Sequence, residues 1–407
     1  MKSFGAHCFK HTAYFNFDKN DELRQVFDGT KDVDRLLGQL ALYTKCPIEP
    51  YHTLLIFDEI QECNKALNSL KYFYEDAPQY HIIAAGSLLG VLLTKGDSFP
   101  AGKVDFLQMY PLTFREFLAA DSPELFDFAE KAAMADEIPL IIFNRMGESY
   151  QRYLVTGGMP EVVSNFLDNN GIEKVEEVLQ SILNAYELDF SKHAEKKDIP
   201  KIAVIWDSIP SQLSRENRKF LYKLVKPGAR AREYEDALLW LERAGLVHRI
   251  FASTKPFLPL KAYDDLTAFK IYLSDIGLLR RLAKLPPEII LSRSPLYAEY
   301  KGATAENAVL QSLVTQFEVK PRYWTSEGKA EVDFLIQYQT GIIPVEVKSA
   351  HNITGKSLHV FDEKYSPKLR IRYSFNNLKI NGNLLNIPLF LADWTQKIIK
   401  NIRFENV

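Results

Sequence analysis

Four short apolar runs punctuate the first quarter of the chain: Thr12–Phe17 (TAYFNF), Thr53–Phe57 (TLLIF), His81–Ala85 (HIIAA) and Val104–Tyr110 (VDFLQMY). Each has the length of a strand. Between them lie amphipathic, charged stretches of helical length, such as Val33–Leu42 and Lys65–Tyr74. Strands alternating with helices predict a mostly parallel sheet covered on both faces. From about Pro123 to Lys192 the pattern turns helical, broken by Gly157-Gly158-Met159-Pro160, and Ile199 to about Leu285 reads as mainly helical too. Ala231–Ala244 (AREYEDALLWLERA) carries an apolar stripe that stops at Gly245, as a helix end should. Leu246–Phe251 then reads as a strand, and this helix–strand step suggests a winged helix. Pro286-Pro287 and Ser292–Pro295 mark the last boundary. Beyond it, a helix at Ala305–Phe317 leads into strands near Arg322–Trp324, Glu331–Gln337 and Ile342–Lys348.

At 407 residues the chain exceeds one ordinary core, so two or three domains are expected. Apolar residues at 46% and charged residues at 25% exclude wholesale disorder and fibrous repeats. Lys+Arg 50 against Asp+Glu 52 leaves a net charge of −2, so no global basic excess points to nucleic acid, although a local basic face would survive this average. The longest nearly uncharged stretch, Tyr80–Thr94, is shorter than the roughly 20 residues that span a bilayer and is interrupted by Gly86 and Gly90. The N-terminus has no apolar signal core. Cys8, Cys46 and Cys63 form no CxxC pair, so neither a disulfide framework nor a zinc site is expected. These features place the protein in the cytoplasm, with no membrane partner.

Leu54-Leu55-Ile56-Phe57-Asp58-Glu59 is an apolar strand ending in two acids, the Walker B arrangement of P-loop nucleoside triphosphatases. There the Asp reaches the Mg²⁺ shell and the Glu polarises the attacking water. Ser87, after the next buried strand, stands where a polar residue senses the γ-phosphate. A phosphate site also needs a Gly-rich loop with its Lys, and G-x-x-x-x-G-K-[ST] does not occur in this sequence. Gly355-Lys356-Ser357 has Ala350 at the first Gly position and lies far from the Walker B strand.

The IIFDEIQE and AAGSLLG stretches, followed by KVDFLQMYPLTFREFL, resemble the ATPase domain of prokaryotic AAA-superfamily proteins that carry a C-terminal domain of unknown function. LVTGGMPEVV, IWDSIPSQLSRENRKFLYKLV, ALLWLERAGLV and FKIYLSDIGLL resemble later parts of the same family. The resemblance implies that Asp58 and Glu59 are the Walker B pair and Ser87 the sensor. It also implies an initial strand, P-loop and helix preceding the segment equivalent to Thr12–Phe17. No residue here matches the P-loop, so ATP binding would need one encoded upstream of Met1, and tight ATP binding is not expected of the sequence as written.

In the last region, Ala330–Ile336 (AEVDFLI) is followed after a polar turn by Ile342–Lys348 (IIPVEVK). With a side-chain period of two, Glu346 and Lys348 emerge on one face, and Asp333 on the preceding strand can converge on them. Two carboxylates can hold Mg²⁺ while the Lys orients a water or stabilises the pentavalent phosphate. This spacing resembles the PD-(D/E)xK fold of restriction endonucleases, with Glu306 as the acid on its first helix and Tyr323-Trp324 before the strand. Val332 stands where that pattern has Pro. The same residues could equally form a salt-bridged strand edge. Arg215, Arg218, Lys219, Lys223, Lys226, Arg230 and Arg232 suit phosphate contacts in a DNA groove, but interleaved acids make a solvated face as good an account.

The expected architecture is therefore α/β in four parts. Residues 1–122 form a P-loop NTPase-like parallel sheet lacking its front end, and 123–198 a helical lid or linker. Residues 199–290 form a winged-helix-like domain, and 291–407 a restriction-endonuclease-like α/β domain. The expected function is an AAA-type ATPase fused to a Mg²⁺-dependent nuclease, with Asp333 and Glu346 on the metal. DNA, a protein partner or further copies of the chain are the partners it allows. The alternative is a non-enzymatic DNA- or protein-binding module built on degenerate ATPase and nuclease folds.

Overall fold

A computed structural model describes the chain except for residues 19, 87–99, 101, 133–136, 216–217, 293, 327–329, 350–354 and 403–407. It divides into two compact units, Met1–Met109 with Arg243–Gly245, and Tyr110–Glu242 with Leu246–Val407.

In the first unit, strands β1 (His11–Asn16), β2 (Thr53–Asp58) and β3 (His81–Ala84) form a parallel sheet in the order β1-β2-β3. Phe15 lies opposite Phe57, and Phe57 opposite Ala84. Leu54 through Phe57 are all buried, because a strand covered on both faces reads as an unbroken apolar run. Helix α1 (Lys2–Cys8) precedes β1, α2 (Asp21–Asp28) and α3 (Val33–Thr44) connect β1 to β2, and α4 (Asn64–Asp76) connects β2 to β3. Asn20 caps α2 by accepting from the Glu22 and Leu23 N–H groups, and Asp32 caps α3 by accepting from Arg35. Leu23, Phe27, Leu36, Leu40, Leu70 and Phe73 from these helices bury against Phe15, Phe17 and Phe57.

The fourth expected strand does not form. Residues 104–110 run without regular structure, and Phe106, Leu107 and Met109 are exposed. The run ends at Pro111, which has no N–H for a ladder, and the next N–H, that of Leu112, pairs with the Gly158 carbonyl.

The second unit opens with α5 (Phe114–Asp121), α6 (Pro123–Ala132), α7 (Leu140–Thr156), α8 (Pro160–Leu167), α9 (Gly171–His193), α10 (Ile199–Leu213), α11 (Tyr222–Val225) and α12 (Ala231–Arg243). A hairpin of β4 (Val247–Ser253) and β5 (Asp264–Leu273) follows. After α13 (Ile276–Leu282), α14 (Pro287–Leu291) and α15 (Ala298–Val314) come β6 (Arg322–Thr325), β7 (Glu331–Tyr338) and β8 (Gly341–Val347). The unit ends with α16 (Lys356–Tyr365), β9 (Arg370–Ser374), β10 (Lys379–Asn381), β11 (Leu384–Pro388) and α17 (Thr395–Asn401). Its eight strands form one mixed sheet in the order β10-β11-β9-β8-β7-β6-β4-β5. Ala252 of the hairpin pairs with Tyr323, so hydrogen-bonded strands bridge the boundary read at Pro286-Pro287.

Two buried polar side chains hold the helical part. Asp275 caps α13 by accepting from Leu278 at 2.9 Å and also accepts from the Gly158 N–H at 2.6 Å. A Cβ on Gly158 would lie 1.9 Å from the Leu112 carbonyl oxygen, and one on Gly157 2.3 Å from Asp275 Oδ1. The Gly157-Gly158 break in the helical pattern is thus a place where backbones touch. Arg280 is fully buried and donates to the Val155 and Leu285 carbonyls and to Glu176.

Candidate active site

In the first unit, β2 delivers Asp58 to its C-terminal end, where open α/β sheets form ligand crevices. Asp58 Oδ2 accepts from the Tyr14 hydroxyl of the neighbouring strand at 2.5 Å, and Oδ1 accepts from the Glu59 N–H at 3.2 Å. The hydrogen bond to Asp58 is the main reason the Tyr14 phenol titrates above its ordinary value. Lys2 Nζ sits 3.5 Å from the centre of the Tyr14 ring. Glu59 takes a left-handed backbone conformation (φ 52°) and accepts from the Gln61 amide. Ser87 lies outside the described residues.

In the second unit, α15 presents Glu306, β7 Asp333 and β8 Glu346, with Lys348 one residue past the strand. Glu306 and Glu346 are only 3% and 2% exposed. The β7–β8 pairing runs from Tyr338 opposite Gly341 to Phe334 opposite Val345, and next to that end Asp333 Oδ2 accepts from the Val347 N–H at 2.7 Å. Burial, then the Glu306 charge, push the Asp333 carboxyl well above the usual range, with Lys270 and Arg218 pulling the other way. The two acids from separate elements therefore sense one another. Lys348 Nζ lies 2.9 Å from Glu346 Oε1, and the lysine side chain keeps a third of its surface exposed. The structure thus brings Glu306 to Asp333, and Glu346 to Lys348, at one end of the β7–β8 pair.

Several cations complete this region that the sequence did not mark as part of it. Arg218, grouped in the sequence with a basic groove-facing set, is instead buried and ion-paired with Glu306, whose second oxygen accepts from the Tyr272 hydroxyl at 3.1 Å. Arg372 lies directly opposite Glu346 in the parallel β8–β9 register, its Nε 3.8 Å from Glu346 Oε2. Lys270, fully buried on β5, pairs with Glu331. Glu306 is thereby paired with Arg218, Glu331 with Lys270, and Glu346 with both Lys348 and Arg372, while Asp333 accepts from the Val347 N–H. Glu346 Oε2 is nonetheless a buried acceptor with no hydrogen-bond partner, and Arg372 Nε is a buried donor with none. Among the described residues there is no group of three or more His, Cys, Asp or Glu side chains arranged to hold a metal ion. Gly355 is the N-cap of α16, and a Cβ there would collide with Arg372 Nη2 and lie 3.3 Å from Glu346 Oε2.

Residues 1–118 match the family model of an AAA domain. Residues 147–289 match a domain of unknown function, DUF8612, and residues 301–390 another, DUF4143. No curated protein matches the chain. Among solved structures, the Walker-type ATPase PABY2304 of Pyrococcus abyssi is 16% identical over 62% of this chain and 68% of its own, with a TM-score of 0.38. Protein VC1899 from Vibrio cholerae is 12% identical over 96% and 97%, with a TM-score of 0.21. Residues 1–118 are thus similar to an AAA domain, and the parallel sheet within them ends in Asp58 and Glu59. Among the described residues no helix is long and apolar enough to cross a membrane.

Proposed function

We propose that this AAA-type protein couples its nucleotide domain to a divalent-metal-dependent phosphodiesterase site acting on nucleic acid, built from Glu306, Asp333, Glu346 and Lys348. The observation that supports it most is that Glu346, ion-paired with Lys348 at the strand end where Asp333 bonds the Val347 N–H, has a buried oxygen, Oε2, that accepts no hydrogen bond and has Arg372 Nε 3.8 Å away. Burying an acceptor that receives no hydrogen bond costs free energy, and a divalent cation there would offset that cost. Asp333 and Glu346 would hold Mg²⁺, which when bound would polarise the phosphoryl group and acidify a water. Lys348, anchored on Glu346 and partly exposed, would face the developing charge on the phosphate. In the first unit Asp58 and Glu59 would serve ATP and its Mg²⁺, with ATP binding dependent on a phosphate loop that none of the described residues supplies.

A second reading, a non-enzymatic module that docks DNA or a protein, is favoured by the complete pairing of Glu306 and Glu346 with protein cations. Metal binding separates the two. Titrated with Mn²⁺ and followed by electron paramagnetic resonance, the protein is expected to bind at the second unit, and Glu346→Gln to weaken that binding by at least tenfold. Binding unchanged in Glu346→Gln would remove the metal site from this place and leave the docking reading.

A further inference from the structure

Arg218 stands outside the strands and helix that carry the candidate active site, in the segment between α10 and α11, yet its side chain ends inside it. Its side chain is 14% exposed, against 4% for that of Glu306, with which it forms an ion pair through Nη1. Its Nε donates to the Leu213 carbonyl at 3.1 Å, which fixes the guanidinium from its other edge. The Arg218 backbone is left-handed (φ 47°), a conformation that a side chain with a Cβ adopts at a cost. Across the site, α15 carries glycine at position 302, where a Cβ would lie 2.7 Å from Arg218 Nη2 and 3.9 Å from Ser349 Oγ. A strained backbone, a buried ion pair and a glycine seat all serve the placement of one guanidinium.

We propose that Arg218 is the positioning residue of the phosphodiesterase site, holding the Glu306 carboxylate in one orientation beside Asp333. The inference rests on the phosphodiesterase reading above. With Oε1 on Arg218 and Oε2 on Tyr272, Glu306 has both oxygens engaged. It is therefore held as an oriented carboxylate beside the proposed metal ligands. Loss of the guanidinium frees Glu306 to rotate and removes a positive charge from the neighbourhood of the metal. These two consequences act in opposite directions on chemistry and on metal affinity. A residue serving only the fold would move both the same way.

The test compares Arg218→Ala, Arg218→Lys and Gly302→Ala with the unmodified chain, in DNA cutting with Mn²⁺ and in Mn²⁺ affinity. Arg218→Ala is expected to lower kcat about 10- to 100-fold, the range typical of residues that orient a metal site, with KM for DNA unchanged and Mn²⁺ affinity equal or tighter. Arg218→Lys should recover part of kcat, since it restores the charge without the fork. Gly302→Ala, which pushes the guanidinium without deleting it, should fall between. Unchanged kcat in Arg218→Ala, or kcat and Mn²⁺ affinity falling together, would overturn the role of Arg218 while leaving the site in place. If Arg218→Ala does not fold, Gly302→Ala and Arg218→Lys decide, and wild-type kcat in both overturns it. An unmodified chain that neither cuts nor binds Mn²⁺ would overturn the phosphodiesterase reading itself, and this inference with it.

Discussion

Replacing Arg280 with alanine is expected to cost about 3–5 kcal/mol of folding stability, the range for breaking a buried, hydrogen-bonded charge pair. Arg280 is fully buried, and its guanidinium joins three stretches of chain. Nε donates to Val155 at the end of α7 at 3.0 Å, Nη1 to Leu285 beyond α13 at 2.9 Å, and Nη2 to Glu176 on α9. Truncation removes the Arg280 donors from the buried Val155 carbonyl and the half-buried Leu285 carbonyl and leaves a cavity the size of the side chain. Glu176 keeps Arg281 at 3.0 Å, which moderates the loss on that side. Arg280→Lys should rescue little, because one ammonium cannot reach three acceptors set in a fork. Urea unfolding followed by circular dichroism checks this, and a loss under about 1 kcal/mol for Arg280→Ala would contradict the role given to it.

A second large effect is expected from His248 on acidification. Its ring is buried on β4, and burial, with a smaller contribution from Lys320, lowers the imidazole pKa from 6.5 to about 3. Between those values the unfolded chain takes up a proton that the folded one refuses. This contribution to stability is therefore intact above about pH 6.5 and is lost as the pH falls toward 3. At about 1.4 kcal/mol per pH unit, the loss by pH 4.5 is of order 2–3 kcal/mol. Asp393 acts in the opposite sense, since burial raises its carboxyl to about 6 and the folded state then holds the proton more tightly than the unfolded one. The quantity to measure is thus the difference between the unmodified chain and His248→Gln, by urea unfolding at pH 7.5 and pH 4.5. The unmodified chain should lose more stability than His248→Gln over that interval, and equal losses would contradict the assignment.

Much of the strand framework was legible because its signals are local. The unbroken run at Leu54–Phe57 marked a strand covered on both faces, and Glu331–Tyr338 with Gly341–Val347 announced a hairpin through their turn. The failures share a cause, which is contact between distant parts of the chain. β5 escaped notice because Lys270 interrupts its apolar run, and only the folded sheet supplies Glu331 as a partner. Val104–Tyr110 had the composition of a strand, but the chain leaving it is tied by the Leu112 N–H to the distant Gly158 carbonyl. Glu306, Asp333, Glu346 and Lys348 could be picked out by spacing and by a resemblance. Arg218 could not, because it meets Glu306 from 88 residues away and sat in a run of basic residues that reads as surface. Arg372 had a weaker signal, two arginines two positions apart in a short strand, which places Arg370 and Arg372 on one face.

The most direct measurement is cutting of plasmid, linear and single-stranded DNA by the purified full chain with Mg²⁺ or Mn²⁺, beside Asp333→Ala and Lys348→Ala. The account predicts cutting that stops on chelation and falls at least 100-fold in each variant, while circular dichroism shows both to be folded. Absence of cutting by the folded unmodified chain on every substrate, or cutting that survives both substitutions, would contradict it.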